Sequence, residues 1–177
     1  SLLRGLFARA ERKMIDSARV VITICQELQD SVVAAGAGDR AFLIENVMGG
    51  DMTSVAEDPG VAQDVRADYE IRSDQSLILY TGTFEEYQGL ELLTDAAACL
   101  ARSCPAGRIL VVGGEPEQVA RARHRADSIG SPMVFVGQRP PEEIPGFIEA
   151  CDILVSPRVS GTNTPLKIYS YLRSGRP

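Results

Sequence analysis

The chain has 177 residues, 45% of them hydrophobic and 24% charged, with a formal net charge of −6. Those proportions suit a soluble α/β protein with room for one well-buried core, or a core plus a fragment. The acidic balance excludes a general nucleic-acid binder, which needs a basic surface to displace counterions, but leaves room for a local basic pocket.

In chain order, SLLRGLFARAERKM places Leu2, Leu3, Leu6, Ala10 and Met14 on one face of a helix read over residues 2–17. Charge interrupts it too soon for a signal peptide. The apolar face is expected to pack on a neighbouring domain, with a membrane surface as the alternative. RVVITIC (19–25) reads as a strand, 27–35 as a helix closed by Gly36 and Gly38, and AFLIENV (41–47) as a second strand closed by a Gly49-Gly50-Asp51 turn. Residues 51–74 are rich in Asp, Glu, Pro and Gly, lack a long apolar stripe, and read as a linker.

From residue 76 the pattern is regular. Strands are expected at 77–84, 108–114, 133–137 and 153–157, alternating with helices at 90–101, 116–129, 142–151 and 165–173. Near-continuous apolar strands alternating with helices predict a parallel sheet covered on both faces, a doubly wound Rossmann-like α/β domain. The organisation expected is therefore residues 1–50 as a β/α fragment of one domain, 51–75 as linker, and 76–177 as a Rossmann-like domain incomplete at its C-terminus. The sequence starts inside a helical pattern at Ser1 and stops at Pro177 after a Ser-Gly-Arg-Pro turn, so it reads as a piece of a larger protein.

The cysteines Cys25, Cys99, Cys104 and Cys151 form no CxxC pair, and His124 is the single histidine. A structural zinc site takes about four clustered ligands, so no metal is expected. Cys25, Cys99 and Cys151 sit in or beside apolar runs, as reduced cysteines in a reducing cytoplasm do. No apolar run approaches the roughly 18–20 residues that span a bilayer.

Ligands of doubly wound sheets bind beyond the carboxyl ends of the strands. Those ends carry Thr81-Gly82-Thr83-Phe84 with Gln88-Gly89, then Gly113-Gly114-Glu115, Gly137-Gln138-Arg139, and finally the run Ser156 to Lys167. In that run Gly161, Thr162, Asn163 and Thr164 lead into a helix with Pro165 in its first turn, followed by Leu166 and Lys167. Free backbone N–H groups and hydroxyls at a helix start make an anion site, flanked here by Arg158 and Lys167. The plainer alternative is an N-cap at Thr164 and an ordinary turn. Neither a GxxxxGKS/T loop nor a GxGxxG after a strand is present, so kinase-type and dinucleotide fingerprints are missing.

These segments resemble the two-domain (GT-B) glycosyltransferases, especially family 4. VVITICQEL is similar to that family's "vitvSeel", and LIENVMGGD, with Asn46 and Asp51, to "vipNGvD". LYTGTFEEYQGLELLTDAA is similar to "yvGrl…KGvdlLieA", and RILVVGG to "l.ivG.G". MVFVGQRPPEEIPGFIEACDILVSP follows "v.f.G.v..eelp", and KIYSYLRSGRP follows "KlfEYmaaGkP". The matches run in order through nearly the whole chain. The resemblance implies a C-terminal donor-binding domain preceded by the end of the N-terminal acceptor domain. It also implies retention of configuration, a nucleotide-diphosphate sugar (UDP- or GDP-hexose) as co-substrate, and no metal in the site.

Carried onto this chain, it places Gly82, Thr83, Gln88, Arg158 and Gly161 to Lys167 at the donor diphosphate, and Gln138, Arg139 and Ser170 at the nucleoside. It implies an acceptor that is lipid-linked, a polysaccharide or a small molecule, and a cytoplasmic protein, with peripheral attachment to the inner membrane face as an alternative. Three departures stand out. The family's Arg is Thr83, its Lys is Gln88, and its second motif carboxylate falls on Ser170, the first falling near Thr162. Either Arg158 and Lys167 supply the charge from another side, or the chain is a degenerate nucleotide-sugar-binding or regulatory subunit; the retained Gly161, Asn163, Pro165 and Lys167 favour the first. A nucleotide-sugar epimerase would need proton-transfer groups that a lone His124 among arginines does not offer. Glu85 and Glu86 read as solvated, and Tyr80, Tyr169 and Tyr171 divide between core and rim roles that sequence does not separate.

Overall fold

A computed structural model describes residues 2–46, 59–161 and 164–177. The chain divides into two units, Ser1–Val47 with Thr162–Leu166, and Met48–Gly161 with Lys167–Pro177. In the first, α1 (Leu2–Ser17) is followed by β1 (Val21–Thr23), α2 (Gln26–Ala34), a 3-10 turn and β2 (Ala41–Leu43). β1 and β2 pair in parallel, Val21 opposite Ala41. The Thr23 hydroxyl donates to Gln29 Oε1 at 2.6 Å, and Gln29 Nε2 donates to the Ala41 carbonyl at 3.2 Å, tying α2 to both strands. The apolar face read on α1 is exposed in this chain at Leu3, Leu6, Phe7 and Met14. The expected Asp51 turn lies outside the described residues.

The second unit is the doubly wound domain. Its strands are β3 (Ser76–Thr81), β4 (Gly107–Val112), β5 (Met133–Gly137) and β6 (Ile153–Leu154), all parallel, in the order β5-β4-β3-β6. Side chains of a strand alternate between faces, and β3 shows it. Leu77 and Leu79 join Leu110, Val112, Phe147 and Ile148 on the side of α6 (Ile144–Ala150) and α7 (Leu166–Arg173). Ile78 and Tyr80 join Leu90, Leu93, Ala97, Val111 and Phe135 on the side of α4 (Leu90–Ser103) and α5 (Pro116–Ser128). Leu77, Leu79, Tyr80, Leu110 and Val111 have no exposed surface, so this sheet is the centre of the core.

Within the stretch read as a linker lies a helix, α3 (Pro59–Asp68), which packs against α6. Ile71 sits in the core after it, and Val65 of the helix and Tyr69 pack against that core. Its anchor is Arg66, whose Nε donates to the Ala150 carbonyl at 2.9 Å, whose Nη1 reaches the Gln75 carbonyl at 3.2 Å, and whose Nη2 meets Asp152 at 2.8 Å. The same Asp152 oxygen accepts from the Leu77 N–H at 2.7 Å, tying α3 to the start of β3. The linker reading missed this helix because its sequence has too few apolar positions to make a stripe, and long-range polar contacts complete its hold. Arg66→Met should cost about 2–4 kcal/mol in urea unfolding, since it strips buried carbonyls and Asp152 of their donor. A loss under half a kcal/mol would show α3 to be held by its apolar side alone.

The cysteines divide differently from the expectation. Cys25 and Cys151 are buried, whereas Cys99 is exposed beside Cys104 at the end of α4. Burial pushes the Cys151 thiol up to about 11, making it an unreactive core group. No helix among the described residues is long and apolar enough to cross a membrane.

Candidate anion site at the strand switch point

The strand order fixes where a crevice must open. From β3 the chain winds outward through β4 and β5, then returns to place β6 on the other flank of β3. The crossovers on either side of this switch lie on opposite faces of the sheet, so the carboxyl ends of β3 and β6 diverge and leave a cleft. Gly82 and Thr83 follow β3 there, Arg158 follows β6, and Lys167 lies in the first turn of α7.

Neighbouring loops are zipped together at this end. The Gly82 N–H donates to the Val112 carbonyl at 3.0 Å, and the Gly113 N–H donates to the Gly137 carbonyl at 2.7 Å. Gly113 has φ +125°, and a Cβ on it would stand 2.0 Å from the Gly82 carbonyl oxygen, so only glycine allows the two loops to touch. Across the cleft, the Val159 N–H donates to the Tyr87 carbonyl at 3.0 Å and joins the loop after β6 to the 3-10 turn Glu86–Gln88.

Lys167 is the central group. Its Nζ lies 4.1 Å from the centroid of the buried Tyr80 ring, a cation–π contact. A Cβ placed on Gly82 would be 2.8 Å from that Nζ, so the glycine opens the space the ammonium occupies. The ammonium is buried and has no hydrogen-bond partner among the described residues. Burial first, and the nearby Arg158 charge second, lower the Lys167 pKa to about 8. Tyr80 donates its hydroxyl to the Thr83 carbonyl at 2.7 Å, so one side chain supports both the cation and the loop after β3. Burial raises the Tyr80 pKa well above the usual tyrosine range, keeping it a neutral donor.

Arg158 is held beside this group. Its Nε donates to the Ser160 carbonyl at 2.6 Å and its guanidinium stands 5.4 Å from the Tyr87 ring centroid. A Cβ on Gly161 would collide with that guanidinium. Gln88, at the position of the expected lysine, keeps a buried Oε1 without a hydrogen-bond partner among the described residues. An ammonium and a guanidinium converging on a cleft, with no described carboxylate bonded to the ammonium, form a site for an anion.

The structure thus brings together Gly82, Arg158 and Lys167 of the residues read from sequence, with Gln88 in the adjoining turn and Thr83 held by Tyr80. Thr162 and Asn163 lie outside the described residues. Thr164 and Pro165 precede α7, which starts at Leu166, so the proline stands just before the helix and not inside its first turn. Gln138 and Arg139 follow β5 and are exposed; Gln138 donates to Glu115 at 2.7 Å and Arg139 to the Tyr69 hydroxyl at 3.0 Å. Ser170 is half-buried one turn along α7 from Lys167. Glu85 and Glu86 are exposed and line a groove of about 620 Å³ between α4 and α5, with Arg121 and Arg125 opposite. Sequence reasoning left Tyr80 and Tyr171 unassigned; the unbroken apolar run LILYT, the mark of a strand buried on both faces, is the signal that could have put Tyr80 inside. Among the described residues, no three His, Cys, Asp or Glu side chains gather as a metal site.

The family model described as "Glycosyl transferases group 1" matches residues 75–177. No curated protein matches the chain in sequence. Among solved structures, the fold is similar to Anabaena Alr3699/HepE in complex with UDP-glucose, with a TM-score of 0.79 at 19% identity over 95% of this chain and 46% of that one. A glycosyltransferase from Rickettsia africae ESF-5 gives 0.80 at 15% identity over 94% and 46%. Sucrose-phosphate synthase from Thermosynechococcus elongatus gives 0.71 at 22% identity over 94% and 41%. The chain spans less than half the length of these neighbours.

Proposed function

Since the chain belongs to the group 1 glycosyl transferases, we propose that it is the donor-binding part of a retaining enzyme that transfers a hexose from a UDP- or GDP-sugar to an acceptor. The observation that carries this reading is the buried Lys167 ammonium, without a hydrogen-bond partner among the described residues, beside Arg158 at the β3/β6 switch point. In sugar transfer, the bond between the anomeric carbon and the diphosphate oxygen breaks, and the acceptor oxygen bonds to that carbon as its hydroxyl proton leaves. Negative charge grows on the departing nucleoside diphosphate. Preplaced cations in a half-buried cleft stabilise that charge more than water does, because they need no reorganisation as it develops.

In this reading the diphosphate lies against Gly82 and Thr83, with Lys167 and Arg158 taking the place of the basic residues that Thr83 and Gln88 do not supply. Gln138 and Arg139, beyond β5, meet the base, and Ser170 faces the ribose. UDP-bound neighbours of the same fold support a nucleotide in this cleft.

Titration of the full-length protein with UDP-, GDP- and ADP-glucose tests it. Selective binding of one nucleotide class, with slow release of free glucose, is the expected result. Binding with no sugar release, even with acceptor extracts present, would turn the reading to a nucleotide-sugar-binding subunit. No binding to any of the three would remove the donor site.

A further inference from the structure

We propose that Tyr171 is a positioning residue for Lys167: its phenol fills the hydrogen bond that β6 leaves unmade at the end of β3, and so fixes α7 where the lysine ammonium stands over the Gly82 turn. The inference rests on the diphosphate reading of Lys167 given above.

The odd-numbered residues of β3 turn their backbone polar groups toward β6. The Leu77 carbonyl accepts from the Asp152 N–H at 2.8 Å, and the Leu79 carbonyl accepts from the Val155 N–H at 2.9 Å. Strand pairing with β6 covers only Ile78 and Leu79, so by Thr81 the partner strand has departed. The Thr81 N–H, on that same edge, donates to the Tyr171 phenol oxygen at 2.9 Å. The Thr81 hydroxyl lies 3.0 Å from the same oxygen. Thr81 and Tyr171 are both buried, so without the phenol the amide would be an orphaned donor away from water.

This bond sets where α7 lies along β3. Lys167 is four residues before Tyr171, one turn back on the same helix face. Ile168 and Tyr171 pack on the Leu77 and Leu79 side of the sheet, while Tyr80 packs on the opposite side. Lys167 nevertheless reaches the Tyr80 ring. Its side chain passes through the gap between the diverging strands, and a small slide of α7 would withdraw the ammonium from that gap. A phenol that bonds both the backbone and the side chain of one β3 residue prevents that slide.

The test is a double-mutant cycle in the full-length protein, with affinity for UDP and, in parallel, GDP as the readout at pH 7 and through pH 6–10. Tyr171→Phe keeps the ring and removes the bonds. It is expected to weaken binding about 5- to 10-fold, the size of one lost hydrogen bond. In a Lys167→Met background the same change should add nothing. Tyr171→Phe should also move the alkaline fall in affinity to higher pH, as the lysine returns toward water. An equal loss in both backgrounds, or no loss in either, overturns the proposal while leaving the diphosphate reading intact. Unchanged binding in Lys167→Met alone would overturn that reading and this inference together. If Tyr171→Phe does not fold, Thr81→Val removes only the hydroxyl contact, and a loss of about 2- to 3-fold, confined to the Lys167 background, is expected.

Discussion

Lys167→Met is expected to raise the melting temperature of the nucleotide-free protein and, in the same molecule, to weaken nucleoside-diphosphate binding by about 10- to 100-fold, the loss of one charge-assisted hydrogen bond. The opposite signs make the result decisive, because a damaged fold would lower both. The stabilising half follows from burying an ammonium whose Nζ has no hydrogen-bond partner among the described residues. A cation–π contact with Tyr80 offsets only part of that desolvation. Methionine keeps an unbranched side chain, one atom shorter and without the charge.

The pH dependence has a definite sign. The Lys167 pKa falls from its ordinary 10.5 to about 8 in the folded protein. Between those values the unfolded chain holds the proton and the folded chain does not, so this group makes stability rise with pH across that window. The stability advantage of Lys167→Met should therefore be full below about pH 8 and fade toward pH 10.5. Binding runs the other way. A diphosphate favours the charged lysine, so the wild-type affinity should decline as pH rises past about 8, and the variant should lack this decline. Thermal melts and calorimetric titrations over pH 6–10 read both effects. A variant that melts lower and binds as tightly as the wild type would mean that Lys167 is a structural residue.

The parts of this molecule that were legible in the sequence are those set by local pattern. LILYT, RILVV and MVFVG are unbroken apolar runs, and a strand buried on both faces reads that way. All three became strands of the central sheet. The doubly wound pattern put a ligand at the carboxyl ends of these strands, and the resemblance added that it would be a nucleotide-diphosphate sugar. Less legible were features made by contact across the chain. β6 is only Ile153–Leu154, because β6 leaves β3 after two paired positions; nothing in ILVSP announces the departure. Helix α3 depends on Arg66 finding Ala150 and Asp152, 84 and 86 residues away. Gln138 and Arg139 follow β5, where the sequence placed them, but their bonds to Glu115 and Tyr69 arise from the fold alone. Tyr171 lay unmarked in a helix that any amphipathic pattern would fit, and only the missing strand partner at Thr81 gives its hydroxyl a task.

For the fold itself, the largest single effect is expected from Gly113→Ala, a loss of about 3 kcal/mol or more in urea unfolding. Gly130→Ala is its control. Gly130 also has a positive φ, +67°, but a Cβ there meets nothing within 4 Å, so its cost is the backbone strain alone, about 1 kcal/mol. At Gly113 the same kind of strain is joined by a collision with the Gly82 carbonyl, its oxygen 2.0 Å and its carbon 2.9 Å from the new Cβ. Relief by a shift of either loop is blocked. Gly82 is bonded to Val112 and Gly113 to Gly137, so moving one loop breaks a hydrogen bond at the end of β4. If the chain does yield, the loop that moves is the one that carries Gly82 beneath Lys167. A folded Gly113→Ala protein should then bind UDP or GDP more weakly than its Gly130→Ala counterpart, with the Lys167 pH signature shifted. Equal unfolding free energies for the two variants would show that the loops separate at little cost, and that the close approach at the strand ends does not hold the cleft in shape.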